Sequence, residues 1–159
     1  MPLQYTYTDS PVGQLLLAGE GEILHYLSFP TGKMAIKPAP NWSFCRPAFK
    51  LARRQIEAYF AGQLRQFDVA VAPHGTGFQM QVLTALQAIP FGQVCSYKDI
   101  AHAIGRPQSM RAVGAANGRN PLPLIIPCHR VVGADGRLTG FGGGIHTKAF
   151  LLRLEGAIN

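Results

Sequence analysis

The sequence predicts an α+β chain: a small N-terminal sheet with one helix, followed by a C-terminal domain of winged helix-turn-helix-like form. Three observations predict it. Apolar and polar residues alternate through the opening segments, short helices with capping signatures follow Pro73, and the positive charge is concentrated in that second part. Of the 159 residues 47% are hydrophobic, enough to fill a core in one large or two small domains. The change of character places the domains at 1–74 and 75–159.

In the first domain, "LQYTYTDS", "QLLLAG" and "ILHYLSF" are separated by the turn signals Ser10-Pro11-Val12-Gly13 and Gly19-Glu20-Gly21, and so read as antiparallel strands. From Pro30 to Pro47 the pattern breaks into irregular Pro-, Gly- and Lys-bearing sequence. "AFKLARRQIEAYFAG" then puts Phe49, Ala52, Ile56 and Tyr59/Phe60 on one helical face, with Gly62 as its stop. "FDVAV" returns to strand alternation before Pro73. This half carries no evident chemistry.

In the second domain, Thr76-Gly-Phe-Gln79 has capping-box form, and Phe78, Val82, Leu86 and Ile89 follow at helical spacing up to Pro90. Ser96-Tyr-Lys-Asp99 repeats the start signal for a short helix that Gly105 closes. Pro107 sits where a first helical position belongs, opening "PQSMRAVGAANG" as a second helix. Two short helices joined by a Gly-containing turn form a helix-turn-helix pattern. The small residues Ala112, Gly114, Ala115 and Ala116 on the second helix suit close approach to a duplex or to a neighbouring helix. Val131-Val132, the Asp135-Gly136 turn and Arg137-Leu138 are expected to form a hairpin wing, and "HTKAFLLRLEG" a last helix with Phe150, Leu151 and Leu154 inward.

Charge and cysteine usage narrow the function. The formal net charge is +7, and residues 75–159 hold eight basic and three acidic side chains against seven and five in residues 1–74, so the second domain favours a polyanionic partner. Neither a leader-like apolar run nor a membrane span is expected, which suggests a soluble, intracellular protein. Cys45, Cys95 and Cys128 are odd in number and lack C-x-x-C spacing. That argues against a disulfide framework or a zinc knuckle and leaves at least one free thiol.

The stretch "PLIIPCHRVVGADG" concentrates the remaining chemistry. Cys128 reads as an inert buried thiol, a metal ligand, a redox switch or a nucleophile. His129 and Arg130 add weight to the last, because a neighbouring cation favours the thiolate. Adjacent side chains diverge, so His129 would reach the sulfur through water, with its other nitrogen oriented by a carboxylate. Asp99 has a capping role and Asp135 sits in a turn; Glu155 is the remaining acidic residue of this domain.

"IPCHRVVG", together with "FGQVCSY", "SMRAVGAANGRNP" and "LLRLEG", resembles the O6-alkylguanine-DNA alkyltransferase family over residues 78–156. The resemblance implies a ribonuclease-H-like N-terminal α/β domain and DNA repair by irreversible, single-turnover alkyl transfer from O6-alkylguanine to Cys128. In that scheme His129 is the water-mediated base, Glu155 orients it, Asn120 supports the active-site turn, and Tyr97 assists the leaving guanine at N3. Arg111 takes the place of the flipped base, while Ala112, Gly114 and Arg130 lie at the DNA. Val131, Phe141, Gly142 and Pro123 form the base pocket. The implied partner is double-stranded DNA with alkylated bases, contacted in the minor groove by a cytoplasmic monomer that needs no metal or cofactor.

The chain departs from the family pattern at several places. Leu83 and Phe150 stand where relatives commonly have Trp, Phe141 where many have Tyr, and Gly142 where many have Ser or Ala. Leu83 and Phe150 remain apolar and keep the packing, while Phe141 and Gly142 bear on pocket size and alkyl preference; O4-alkylthymine stays open as a second substrate. Two other readings use the same residues: a lesion-binding relative that accepts no alkyl group, and a winged-helix regulator with a redox-sensing Cys128.

Overall fold

The computed structural model describes residues 2–159. Strands β1 (Gln4–Thr8), β2 (Leu15–Glu20) and β3 (Ile23–Ser28) form an antiparallel meander, and β4 (Ser43–Phe44) joins β1 in parallel, giving the order β3-β2-β1-β4. β2 is central, and Leu15 to Ala18 are all buried, so both of its faces are covered. The β2–β3 ladder is irregular at Ala18/Gly19, where any side chain at Gly19 would overlap the Ile23 carbonyl. Helix α1 (Lys50–Phe60) buries Ala52, Ile56 and Tyr59.

Two elements of this half differ from expectation. β4 lies inside the stretch read as irregular, because its partner strand is some forty residues away and a two-residue parallel pairing leaves no local signal. "FDVAV" makes only a bridge from Val71 to Leu24. The outer edge of β3 is shared: Leu24 bonds Ala70 and Ala72, while Leu27 N–H donates to the Pro121 carbonyl at 3.0 Å, so no continuous ladder is left for the segment.

Helices α2 (Gly77–Leu86) and α3 (Tyr97–Ala103) begin at the two capping boxes, Thr76/Gln79 and Ser96/Asp99, with both reciprocal bonds made in each. Helix α4 (Met110–Gly118) starts later than the position of Pro107 predicts. Ser109 N–H donates to the Arg106 carbonyl at 3.0 Å and closes a turn around Pro107–Gln108, a place that suits proline's fixed φ.

The expected hairpin wing does not form. The Asp135-Gly136 turn closes, with Gly133 N–H donating to the Arg137 carbonyl at 2.8 Å, but β6 (Val131–Val132) pairs instead with β5 (Cys95–Ser96) in parallel. This ladder ties the residue before α3 to the segment that follows Cys128. Helix α5 (Ile145–Leu154) turns Lys148, Leu151 and Leu152 inward and leaves Phe150 exposed, since the inner stripe at helical spacing excludes position 150.

Leu17 and Ile56 of the first half and Leu83, Leu122 and Ile126 of the second belong to one buried cluster. Among the described residues no helix is long and apolar enough to cross a membrane.

Candidate active site

Cys128 opens a single 3-10 turn, Cys128–Arg130, entered through Pro127. The loop before it is held by Asn120, whose side-chain amide donates to the Ile126 carbonyl at 2.8 Å while its oxygen accepts from Leu122 N–H at 2.9 Å. Leu124, between them, sits at φ 76°, a left-handed conformation that costs a β-carbon-bearing residue about 1 kcal/mol or more and persists because the buried surroundings fix it. Asn117 of α4 donates to the Cys128 carbonyl at 3.3 Å. The turn is therefore gripped from both sides.

Behind the turn lies a buried polar cluster centred on Glu155, the residue that ends α5. Glu155 Oε2 lies 2.7 Å from His129 Nε2 and accepts from the Tyr59 hydroxyl at 2.6 Å; Arg130 donates to Oε1 at 2.8 Å and to Oε2 at 3.1 Å. Burial alone would raise the Glu155 pKa, but the hydrogen bonds from His129, Arg130 and Tyr59 bring it down to about 2. An ionised carboxylate only accepts, so His129 Nε2 carries the proton and Nδ1 presents a lone pair. Nδ1 is buried and has no hydrogen-bond partner among the described residues. Burial lowers the His129 pKa, keeping the ring neutral at physiological pH.

Cys128 is 3% exposed, and burial pushes its thiol up to about 11, partly opposed by Asn120 and by the charge of Lys148. The cation whose charge favours the thiolate is thus Lys148, not the residues next to Cys128 in sequence. Lys148, fully buried on α5, donates to the Val131 carbonyl at 2.6 Å and the Thr139 carbonyl at 2.7 Å, and burial draws its pKa down to about 8. Sequence reasoning missed this residue and Tyr59. The available signal for Lys148 was a lysine on the apolar stripe of α5; Tyr59 reads only as a core aromatic.

Arg130 is a correction to the sequence reading. Expected at the DNA, it is turned inward, its guanidinium committed to Glu155 and to the Ile89 carbonyl at 2.7 Å. A phosphate would have to displace a buried ion pair to reach it.

Cys128, Asn120, Pro123 and Gly142 line one cavity of about 130 Å³, with Met34 and Ile36 on its N-terminal side. Val131 and Phe141, expected in the base pocket, are buried but do not line this cavity; Phe141 packs at a tilt against Phe29, which does, with ring centroids 5.6 Å apart. Tyr97, Arg111 and Gly114 line a separate shallow groove between α3 and α4. Ala112 is exposed on the same helix, and the Tyr97 hydroxyl is 3.0 Å from Thr139 Oγ1. Through Thr139 and Lys148 this surface connects by hydrogen bonds to Val131, the residue following the Cys128 turn. Among the described residues no three His, Cys, Asp or Glu side chains gather where a metal ion could sit.

Comparison with known proteins agrees over both halves. Residues 77–157 match the family "6-O-methylguanine DNA methyltransferase, DNA binding domain" and residues 3–73 the family "6-O-methylguanine DNA methyltransferase, ribonuclease-like domain". A methylated-DNA–protein-cysteine methyltransferase of Methanosarcina acetivorans is 50% identical over 155 residues, covering 98% of this chain and 99% of the relative. A protein of the same name from Mycobacterium tuberculosis is 48% identical, covering 96% and 92%. The crystal structure of Mycobacterium tuberculosis OGT in complex with DNA superposes with a TM-score of 0.91 at 47% identity, covering 97% of this chain and 93% of that one.

Proposed function

The chain belongs to the 6-O-methylguanine DNA methyltransferase family, as a protein that repairs DNA by direct alkyl transfer to one of its own cysteines, and we propose that Cys128 is that cysteine. The observation that carries the assignment is the free Nδ1 of a neutral, buried His129 whose other nitrogen is fixed by Glu155, on the residue next to a buried thiol.

With a pKa near 11, roughly one Cys128 in ten thousand is ionised at pH 7, so the thiolate has to be generated in place. His129 Nδ1, acting through one water, takes the thiol proton. The sulfur then attacks the alkyl carbon: an S–C bond forms, the C–O6 bond breaks, and its electron pair leaves with guanine. Tyr97 supplies a hydrogen bond or proton at N3 of that leaving anion. Asn120 holds the turn in place, and Lys148 stabilises the thiolate charge from a fixed position. The product is a thioether that thiols do not reduce, so each molecule acts once.

The alkylated oxygen faces the pairing edge within the duplex, so the base must be flipped out, and a damaged pair costs less to open. We assign extrusion to Arg111 on the exposed face of α4, with Ala112 and Gly114 permitting close approach to the minor groove. The small exposed residues and the basic charge of this half support that docking. Backbone groups near Cys128, Val131 and Gly142 would read the guanine edge, with Phe141 and Pro123 as apolar walls. Every group in the scheme comes from one chain, which supports action as a monomer on alkylated double-stranded DNA; its place is the cytoplasm, at the nucleoid if the source is a bacterium.

The test is to incubate the protein with duplex DNA carrying O6-methylguanine and map the modified peptide. Methylation of Cys128, absent in Cys128→Ala while lesion binding persists, is the expected result. Transfer to Cys45, Cys95 or no residue at all would overturn the assignment.

A further inference from the structure

The cavity at Cys128 is not built by the C-terminal half alone. Residues 30–36, between β3 and β4, cross over it, and Met34 and Ile36 form part of its lining. The crossing is anchored at two points: Met34 N–H donates to the Gly142 carbonyl at 3.0 Å, and Ile36 N–H donates to the Ser28 hydroxyl at 2.9 Å.

The contact depends on glycines on both sides. A β-carbon at Gly142 would lie 2.7 and 2.8 Å from Met34 Cβ and Cγ, and one at Gly32, which sits at φ 101°, would overlap the Gly142–Gly143 backbone. A β-carbon at Gly143 would in turn lie 2.6 Å from the Phe29 ring and 2.8 Å from the Phe141 ring. The Met34 side chain therefore rests against bare backbone where a Ser or Ala at 142 would hold it away.

Size decides what this arrangement does. A cavity of about 150 Å³ accommodates one benzene ring. The space at Cys128 is about 130 Å³, and a purine bearing an alkyl group is larger than benzene, so the base does not fit wholly within it and presses on its walls. The flexible, unbranched Met34 on a loop is the wall suited to move, whereas Asn120, Pro123 and Cys128 belong to the gripped turn.

Resting on the alkyl-transfer reading above, we infer that Met34 is a specificity-determining residue. It roofs the base pocket from the N-terminal domain, is displaced as the flipped base enters, and limits the size of alkyl group accepted with the base.

The test uses full-length protein and two duplex substrates, one with O6-methylguanine and one with O6-benzylguanine, in single-turnover transfer to Cys128. Met34→Ala is expected to raise the benzyl-to-methyl rate ratio about tenfold or more, the scale on which a small change in an apolar pocket discriminates. Met34→Leu, close in volume, is expected to keep the ratio within about twofold of the parent. A ratio in Met34→Ala equal to that of the parent overturns the inference. A second readout needs no alkyl transfer: an aromatic disulfide reagent should label Cys128 faster in free Met34→Ala than in the parent, and equal labelling would remove Met34 as the roof. Should the parent protein transfer neither group, the alkyl-transfer reading falls, and the labelling still decides whether Met34 covers the thiol.

Discussion

Tyr59 and Glu155, ninety-six residues apart, meet in a 2.6 Å hydrogen bond between the N-terminal helix α1 and the end of the C-terminal helix α5. Burial and the adjacent carboxylate both hold the Tyr59 phenol protonated, so it donates. The half of the chain without its own chemistry thus contributes one of the donors that keep the orienting carboxylate in place.

Tyr59→Phe should destabilise the protein by about 1–3 kcal/mol, the range for losing a hydrogen bond to a buried charge. Urea unfolding measures it. Transfer should slow only modestly, because His129 and both Arg130 contacts on Glu155 remain. Unchanged stability would mean that the bond contributes nothing net.

His129→Gln removes the proposed base. Alkyl transfer from duplex O6-methylguanine should fall by about 10²- to 10⁴-fold, the usual contribution of a positioned general base. Lesion binding, measured by fluorescence anisotropy, should persist. A variant as fast as the parent would rule out His129 as the proton acceptor.

Acid should unfold the protein through the Glu155 cluster. The folded-state pKa of Glu155, about 2, lies below its ordinary 4.5, so the unfolded chain binds the proton more readily. The stabilisation, of order 3 kcal/mol, is fully present above pH 4.5 and is lost as pH falls toward 2. His129 acts in the same direction at higher pH: its lowered pKa means that the unfolded chain takes up a proton near 6.5 that the folded one refuses. Unfolding free energy measured from pH 7 downward should decline throughout. A plateau between pH 4.5 and 2.5 would contradict the assignment to Glu155.

Arg111→Ala should slow repair in duplex DNA far more than transfer from a free alkylated base, which needs no extrusion. If Arg111 also meets a phosphate, the salt dependence of DNA binding should flatten by about one unit of slope. Equal loss on the two substrates would place Arg111 outside the flipping step.

What the sequence made legible follows the range of each interaction. Both capping boxes lie within four residues and were readable as written. The expectation that Glu155 orients His129 came from elimination among the acidic residues of the second domain and from the family resemblance, and the two side chains meet at 2.7 Å. Arg130 escaped because its direction is set by the Ile89 carbonyl and Glu155, both distant in sequence. Lys148 left only one trace, its place on the apolar stripe of α5, because its acceptors are the backbone carbonyls of Val131 and Thr139, and a carbonyl carries no residue signature. β4 and the missing wing were decided by which strand edge stood free, a property of the assembled sheets.

The protonated, 3% exposed thiol of Cys128 has one more consequence. A protein consumed by its reaction has no second turnover with which to recover from an accident, so each encounter with peroxide or a stray electrophile could end its usefulness. Kept as a thiol and shielded from solvent, Cys128 should react slowly with such reagents. The reactivity is withheld through the long wait on undamaged DNA and released where a lesion is presented.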